Sequence, residues 1–212
     1  PVAAAIGAGI DIAKPDGHMV VDIGGGTTDV AVAALDGVVT STCLPTAGDQ
    51  FDQALIQSIR QKHDLLIGLR TAEEVKQTIG RVAGEGPGES IAVKGRCLST
   101  GLPREVEVTA AETEEAFAPV AEEIVTAVQG VLERTPPELA ADVAMSGILL
   151  TGGGSLLHGM DLLLAQRTGI EAVVAETPIA CVALGLEKLL PHLTRRQDGT
   201  LNFARRRQIT GS

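Results

Sequence analysis

The chain has no tryptophan and no tyrosine, and its only phenylalanines are Phe51, Phe117 and Phe203. A core must therefore be assembled from Val, Ile, Leu and Ala, which suits buried sheets covered by helices better than aromatic-rich sandwiches. The same lack disfavours single-stranded nucleic acid, whose bases stack on aromatic faces. Basic residues are also short: 17 Lys and Arg stand against 27 Asp and Glu, a formal charge of −10 that repels phosphate backbones. No nucleic-acid partner is expected. Cys43, Cys97 and Cys181 are odd in number and widely spaced, so they read as small core residues in a reducing compartment rather than a disulfide framework. No run approaches the roughly twenty uninterrupted apolar residues of a membrane span, and no apolar leader opens the chain. A soluble, cytoplasmic protein is expected.

What is present suffices for a packed core: 212 residues, 44% of them hydrophobic, predict one large domain or two small ones. Residue 1 is a proline, and "PVAAAIGAG" reads as the middle of a helix, so the chain looks cut from something longer. Met19 to Gly24, Thr28 to Leu35 and Val38 to Leu44 read as a three-stranded antiparallel meander, turned at Asp36-Gly37. Residues 47–63 place Phe51, Leu55, Ile56 and Ile59 on one helical face. A helix over 71–82 is predicted to open at Thr71 in a capping-box-like start with acids in its first turn, broken by the glycines at 84, 86 and 88. Alternating strands near 89–98 and 104–109 complete a small inserted unit. A long helix from Ala110 to Arg134 follows, with Phe117, Val120, Ile124, Val128 and Val131 inward, ended by "TPPE". Then come a buried strand, a glycine turn and a helix, and again a short strand and a helix with Pro178 near its start. The tail from Thr194, with five arginines, has no periodic apolar face and is predicted to be disordered. The order βββα, insert, αβαβα predicts an α/β sheet with helices on its faces.

Two glycine clusters carry the chemistry. In "VVDIGGGTTDVAV" the run Gly24-Gly25-Gly26 follows a buried strand, and a backbone without Cβ atoms lets an anion touch its N–H groups. Asp22 is the last charged residue of that strand and needs a cation or a donor; Mg²⁺ carried by a nucleotide, held through water, would serve. Thr27 and Thr28 offer hydroxyls to a terminal phosphate or a water. The plainer alternative is a bulged hairpin with a capping aspartate. In "LLTGGGSLL" the glycines stand between strand and helix, so a helix start near Ser155 would offer free N–H groups to an anion. Its plainer alternative is close helix–strand packing. Two such tips suggest one phosphate ligand approached from two loops. Neither is a dinucleotide fingerprint or a Walker A sequence. His18, His63, His158 and His192 lack metal spacing, Ser155 lacks a nucleophile elbow, and the glutamates of 112–123 read as a solvated helix face.

Taken in order, these segments resemble the actin superfamily of ATPases, and within it the MreB/Mbl family of bacterial rod-shape-determining actin homologues. "MVVDIGGGTTDVAV" resembles the family's second phosphate hairpin, "AGDQFDQALI" its Gly-Gly-Asp-x-Phe-Asp segment, "TAEEVKQTIG" its nucleoside-contacting helix, and the stretch from "TPPE" to "GMDLLL" its adenosine motif with the approach to it. The similarity runs from residue 1 to about residue 190. It implies an actin-like (RNase-H-like) domain IIA at 1–44 and 110–190, an inserted α+β subdomain IIB at 45–109, and a basic tail at 191–212. It implies ATP and Mg²⁺ as ligands. Asp22 would stand near Mg²⁺, with Thr27 a second candidate for placing metal or water. Gly24, Gly25, Gly26 and Thr27 would meet the β- and γ-phosphates, with Gly48 alongside. Gly152, Gly153, Gly154 and Ser155 would meet the α-phosphate and ribose, and Glu73 and Lys76 the nucleoside. Without the family, Glu73 and Lys76 would read as a solvent-facing helix pair.

The sequence also departs from the family pattern. The first phosphate hairpin, the rest of domain I and a water-activating acid would precede residue 1, as would the membrane-inserting loop and an amphipathic helix. Ala47 replaces the first glycine of its segment, Gln50 a usual lysine, and Thr78 a usual glutamate. With one wall of the phosphate clamp, hydrolysis by this chain is expected to be poor. The resemblance implies self-association or joining to intact filaments that organise cell shape and wall synthesis, as dimers or larger. It implies the cell-wall synthesis machinery as partner and a place at the inner face of the plasma membrane, reached indirectly. The arginine-rich tail reads as solvated, with contact to anionic lipid as the alternative. A non-enzymatic scaffold that binds filaments or wall-synthesis proteins is the competing functional reading, and an inactive remnant a third.

Overall fold

A computed structural model describes residues 1–85 and 88–193; the arginine-bearing tail lies outside the described residues. Along the chain run α1 (Val2–Gly7), β1 (His18–Ile23), β2 (Thr28–Ala34), β3 (Gly37–Leu44) and α2 (Gly48–His63). There follow β4 (Leu65–Leu66), α3 (Leu69–Ile79), β5 (Ser90–Cys97), β6 (Pro103–Thr109) and α4 (Ala110–Arg134). The chain closes with α5 (Pro137–Ser146), β7 (Ile148–Thr151), α6 (Met160–Thr168), β8 (Ala172–Val174) and α7 (Cys181–Leu193). No helix among the described residues is long and apolar enough to cross a membrane.

The meander β1–β2–β3 forms antiparallel, as the sequence predicts, and β7 and β8 extend it in parallel to give the order β3-β2-β1-β7-β8. Strand β1 is apolar on both faces because both are covered. Met19, Val21 and Ile23 point into the larger core with α2 and α4, while Val20 points into a second cluster with Ala4, Ala5 and Cys181 of α1 and α7. Those two helices cross backbone to backbone: a Cβ at Gly185 would lie 1.8 Å from the Ala3 carbonyl oxygen.

Several local expectations are corrected. The hairpin turn sits one residue early, at Leu35 and Asp36 (φ 51° and 59°), with Gly37 already paired to Ala34. Backbone bonds from Leu35 N to Lys14 O and Asp36 N to Ile12 O hold that left-handed pair in place. Helix α3 starts before Thr71, behind Gly68, with no side-chain cap and no acid in its first turn. Cys43 is exposed on β3, unlike buried Cys97 and Cys181, because β3 is an edge strand. Val120 is only partly buried. Helix α5, opened by Pro137 at its first position, was not anticipated, and neither was the two-residue β4.

Strands β4–β5–β6 form a separate antiparallel sheet. Its core is not separate: one apolar cluster runs from β1 through Phe51 and Phe117 to Leu65, Val93 and Val108. The joint is the edge-to-face pair Phe51–Phe117, centroids 5.2 Å apart.

Helix α4 begins with a full capping box. Thr109 Oγ1 accepts from Glu112 N (3.3 Å) while Thr109 N donates to Glu112 Oε2 (2.8 Å). Glu112 also pairs with His63 at the end of α2 (2.7 Å). Burial pushes the Glu112 carboxyl up, but the Thr109 and His63 hydrogen bonds outweigh it and hold the group below its ordinary value. A depressed carboxyl stabilises the fold above the unfolded-state value and loses that contribution as pH falls through the folded one. Glu112→Ala is expected to lower stability by about 1 kcal/mol at neutral pH, and urea titrations of the two proteins should converge in acid.

Candidate functional site

The site is set by strand register. β1 and β7 pair in parallel with Asp22 opposite Thr151, so the two strands end together and both glycine loops leave from the same edge. Asp22 is not left bare there: its Oδ1 accepts from the Thr151 hydroxyl at 2.9 Å. Gly152 has φ +80°, and a Cβ on it would lie 2.3 Å from the Ile23 carbonyl oxygen and 2.8 Å from Asp22 Oδ1. A Cβ on Gly154 would lie 2.3 Å from Ile23 Cγ2, whereas one on Gly153 would meet nothing within 4 Å. The outer glycines thus let the second loop lie on the end of β1, and the middle one faces open space. The α-helix expected at Ser155 is instead one 3-10 turn, Gly153–Leu156, with α6 starting at Met160. Ser155 is buried and its hydroxyl donates to Gly152 O (2.7 Å), closing the loop on itself.

The first loop is held by α2. Gly24 N donates to Thr27 O (2.9 Å), then Gly48 N to Gly24 O (3.1 Å) and Asp49 N to Gly25 O (2.8 Å). Two orphan amides of the helix start are thereby satisfied by hairpin carbonyls. The amides of Gly25, Gly26 and Thr27, and those of Gly153 and Gly154, find no acceptor among the described residues. Thr27 is exposed, but Thr28 is buried and donates to Thr46 O (2.6 Å), so its hydroxyl turns away from the loop tip.

A cleft of about 920 Å³ opens between the loops, α2 and α3. Gly24, Gly25, Gly48, Glu73, Lys76, Gly153 and Gly154 all line it; Asp22, Gly26, Thr27, Gly152 and Ser155 do not. Leu69, Leu156, Leu157 and Ile179 give it an apolar part. The remaining departures from the family pattern have local duties. Ala47 sits at φ −159°, where a methyl is tolerated; Gln50 Oε1 accepts from Ala47 N (3.0 Å), and the Thr78 hydroxyl bonds back to Glu74 O (2.7 Å).

Lys76 does not pair with Glu73, whose partner is Gln77. Its ammonium reaches across to α2, donating to Gly48 O (3.0 Å) and Asp52 Oδ2 (2.8 Å). Asp49 and Asp52, neither of them among the residues expected at the site, also line the cleft. The signal was available, since Asp52 follows Gly48 by one helical turn and shares its face. Two carboxylates beside loops with unpartnered amides fit a ligand that brings its own cation: Asp22 at the end of β1, and Asp49 within 3.6 Å of where a Gly25 Cβ would stand.

The family model for MreB/Mbl protein matches residues 1–198. The chain is 48% identical to the cell shape-determining protein Mbl of Bacillus cereus over 92% of its own length and 59% of that protein. It is 48% identical to the cell shape-determining protein MreB of Escherichia coli over 90% of its length and 55% of that one. It therefore spans less than two thirds of these relatives. The crystal structure of Spiroplasma citri MreB5 bound to ADP superposes with a TM-score of 0.87 at 35% identity, covering 90% of this chain and 58% of that one. The same protein bound to AMPPNP gives 0.88 at 34%, covering 91% and 58%. The fold is the actin-like one, and the chain belongs to the MreB/Mbl family.

Proposed function

We propose that this chain binds an adenine nucleotide, ATP or ADP, with Mg²⁺, and forms or joins filaments that organise cell shape and cell-wall synthesis. The observation that carries the nucleotide part is the pair of glycine loops on parallel strands β1 and β7, opening side by side on one cleft with unpartnered amides. The MreB5 structures with ADP and AMPPNP support it, and filament formation rests on the family. Gly24 to Thr27 would take the β- and γ-phosphates, and Gly153 and Gly154 the α-phosphate side. Glu73, Lys76 and the apolar wall would take the nucleoside. Asp22 would hold Mg²⁺ through water, and the ion would offset phosphate charge beside the two carboxylates. In this assignment residues 45–109 act as subdomain IIB and the flanking segments as IIA.

Lys76 is the one Lys or Arg among the described lining residues, and it is already paired. Phosphoryl transfer needs charge stabilisation around the γ-phosphate, so these 212 residues by themselves are expected to bind without efficient turnover. Calorimetric titration of the chain with Mg-ADP tests the reading. A Cβ on Gly25 makes only an ordinary 3.6 Å contact, so Gly25→Val should fold normally yet lose binding by at least about tenfold, the equivalent of one charge-assisted hydrogen bond. Equal affinities in the two proteins would remove the hairpin from the site.

A further inference from the structure

Asp52 is the one buried carboxylate among the described residues, and the nucleotide reading leaves it without a task. It is 7% exposed; Oδ2 meets Lys76 and Oδ1 has no partner among the described residues. A half-satisfied carboxylate in such a place is destabilising in itself. Desolvation pushes its acid strength down, the Lys76 hydrogen bond opposes this, and the Glu73 and Asp49 carboxylates reinforce it. A core position would be better filled by an apolar residue, so the geometry of Lys76 is what the carboxylate secures.

That geometry links three elements. Lys76 of α3 is drawn onto Gly48 O at the start of α2, and Gly48 N in turn holds Gly24 O of the first glycine loop. The two backbones are in close approach, since a Cβ on Gly48 would lie 3.2 Å from Gly24 O. We propose that Asp52 is a positioning residue of the nucleotide cleft: it fixes the Lys76 ammonium against the Gly48 carbonyl, so that the nucleoside-side helix α3 and the phosphate-side loop are presented to a nucleoside diphosphate or triphosphate as one rigid wall. Asp52 stands in the cleft wall, but its Oδ2 is engaged by the Lys76 ammonium and its Oδ1 is sealed from solvent, so it acts through Lys76. This rests on the reading of the cleft as a nucleotide site.

The experiment compares the 212-residue chain with Asp52→Asn, Asp52→Ala, Lys76→Met and the double variant Asp52→Asn/Lys76→Met, by calorimetric titration with Mg-ADP and by the rate of Lys76 acetylation with acetic anhydride, read by mass spectrometry. Asp52→Asn keeps the side-chain volume and serves if the alanine variant does not fold. Both Asp52 variants should bind ADP about tenfold more weakly, as expected for a lost charge-assisted hydrogen bond, and Lys76 should acetylate several-fold faster in them. In the Lys76→Met background, Asp52→Asn should change the affinity little, which a merely structural role would not produce. Unchanged or tighter ADP binding by the single variants, additive losses in the double variant, or unchanged acetylation each overturn the proposal while wild-type binding leaves the nucleotide reading standing. Failure of the wild-type chain to bind ADP overturns both.

Discussion

Gly152→Val is expected to abolish ADP binding and to lower stability by about 3 kcal/mol or more. Two independent effects act on the same residue. Its φ of +80° lies where a β-branched side chain is strained, a penalty of about 1–3 kcal/mol. Its first side-chain carbon would also stand 2.3 Å from the Ile23 carbonyl oxygen, so the second loop must lift off the end of β1. Lifting it separates the two glycine loops and breaks the Thr151–Asp22 hydrogen bond beside them. Gly153→Ala is the control, because its Cβ meets nothing within 4 Å: stability should stay within about 0.5 kcal/mol while ADP binding weakens. Urea unfolding followed in parallel with calorimetry separates the two variants. A Gly152→Val protein of wild-type stability and affinity would show that the loops do not depend on their contact.

Phe117→Ala should have the larger effect on the fold, about 3–5 kcal/mol. Phe117 is fully buried on α4 and meets Phe51 of α2 edge to face. With so few aromatics, this pair is the bulkiest contact in the stretch of core that joins the two sheets. Removing one ring leaves a cavity that the surrounding Val, Ile and Leu side chains fill only in part. Since α2 carries Gly48, Asp49 and Asp52, loosening it should weaken ADP binding as a secondary consequence. Thermal unfolding monitored by circular dichroism gives the first effect directly. A loss below about 1 kcal/mol would mean that the core collapses around the missing ring, at the low end of what large-to-small changes produce.

Much of this was readable in one dimension. Apolar runs of β1 and β7 bounded by glycines announced strands with naked tips, and the spacing of Phe51, Leu55 and Ile59 announced the buried face of α2. The same reasoning missed α5, whose ten residues begin at the second of two prolines that read as a stop. It also misplaced the β2–β3 turn, because Asp36-Gly37 is the commoner signal and the backbone bonds from residues 12 and 14 that hold Leu35 at positive φ come from a distant loop.

The chain order of residues settled most of the strands and helices, α5, β4 and the turn at Ser155 apart, and where bare backbone occurs, since these depend on periodicity and on the presence or absence of a Cβ. It could not settle that Asp22 stands opposite Thr151, that hairpin carbonyls cap α2, or that Lys76 leaves Glu73 for Asp52. Those contacts join residues 24 to 129 positions apart, and partners so distant are chosen by sheet register and helix packing, which exist only once the chain has folded.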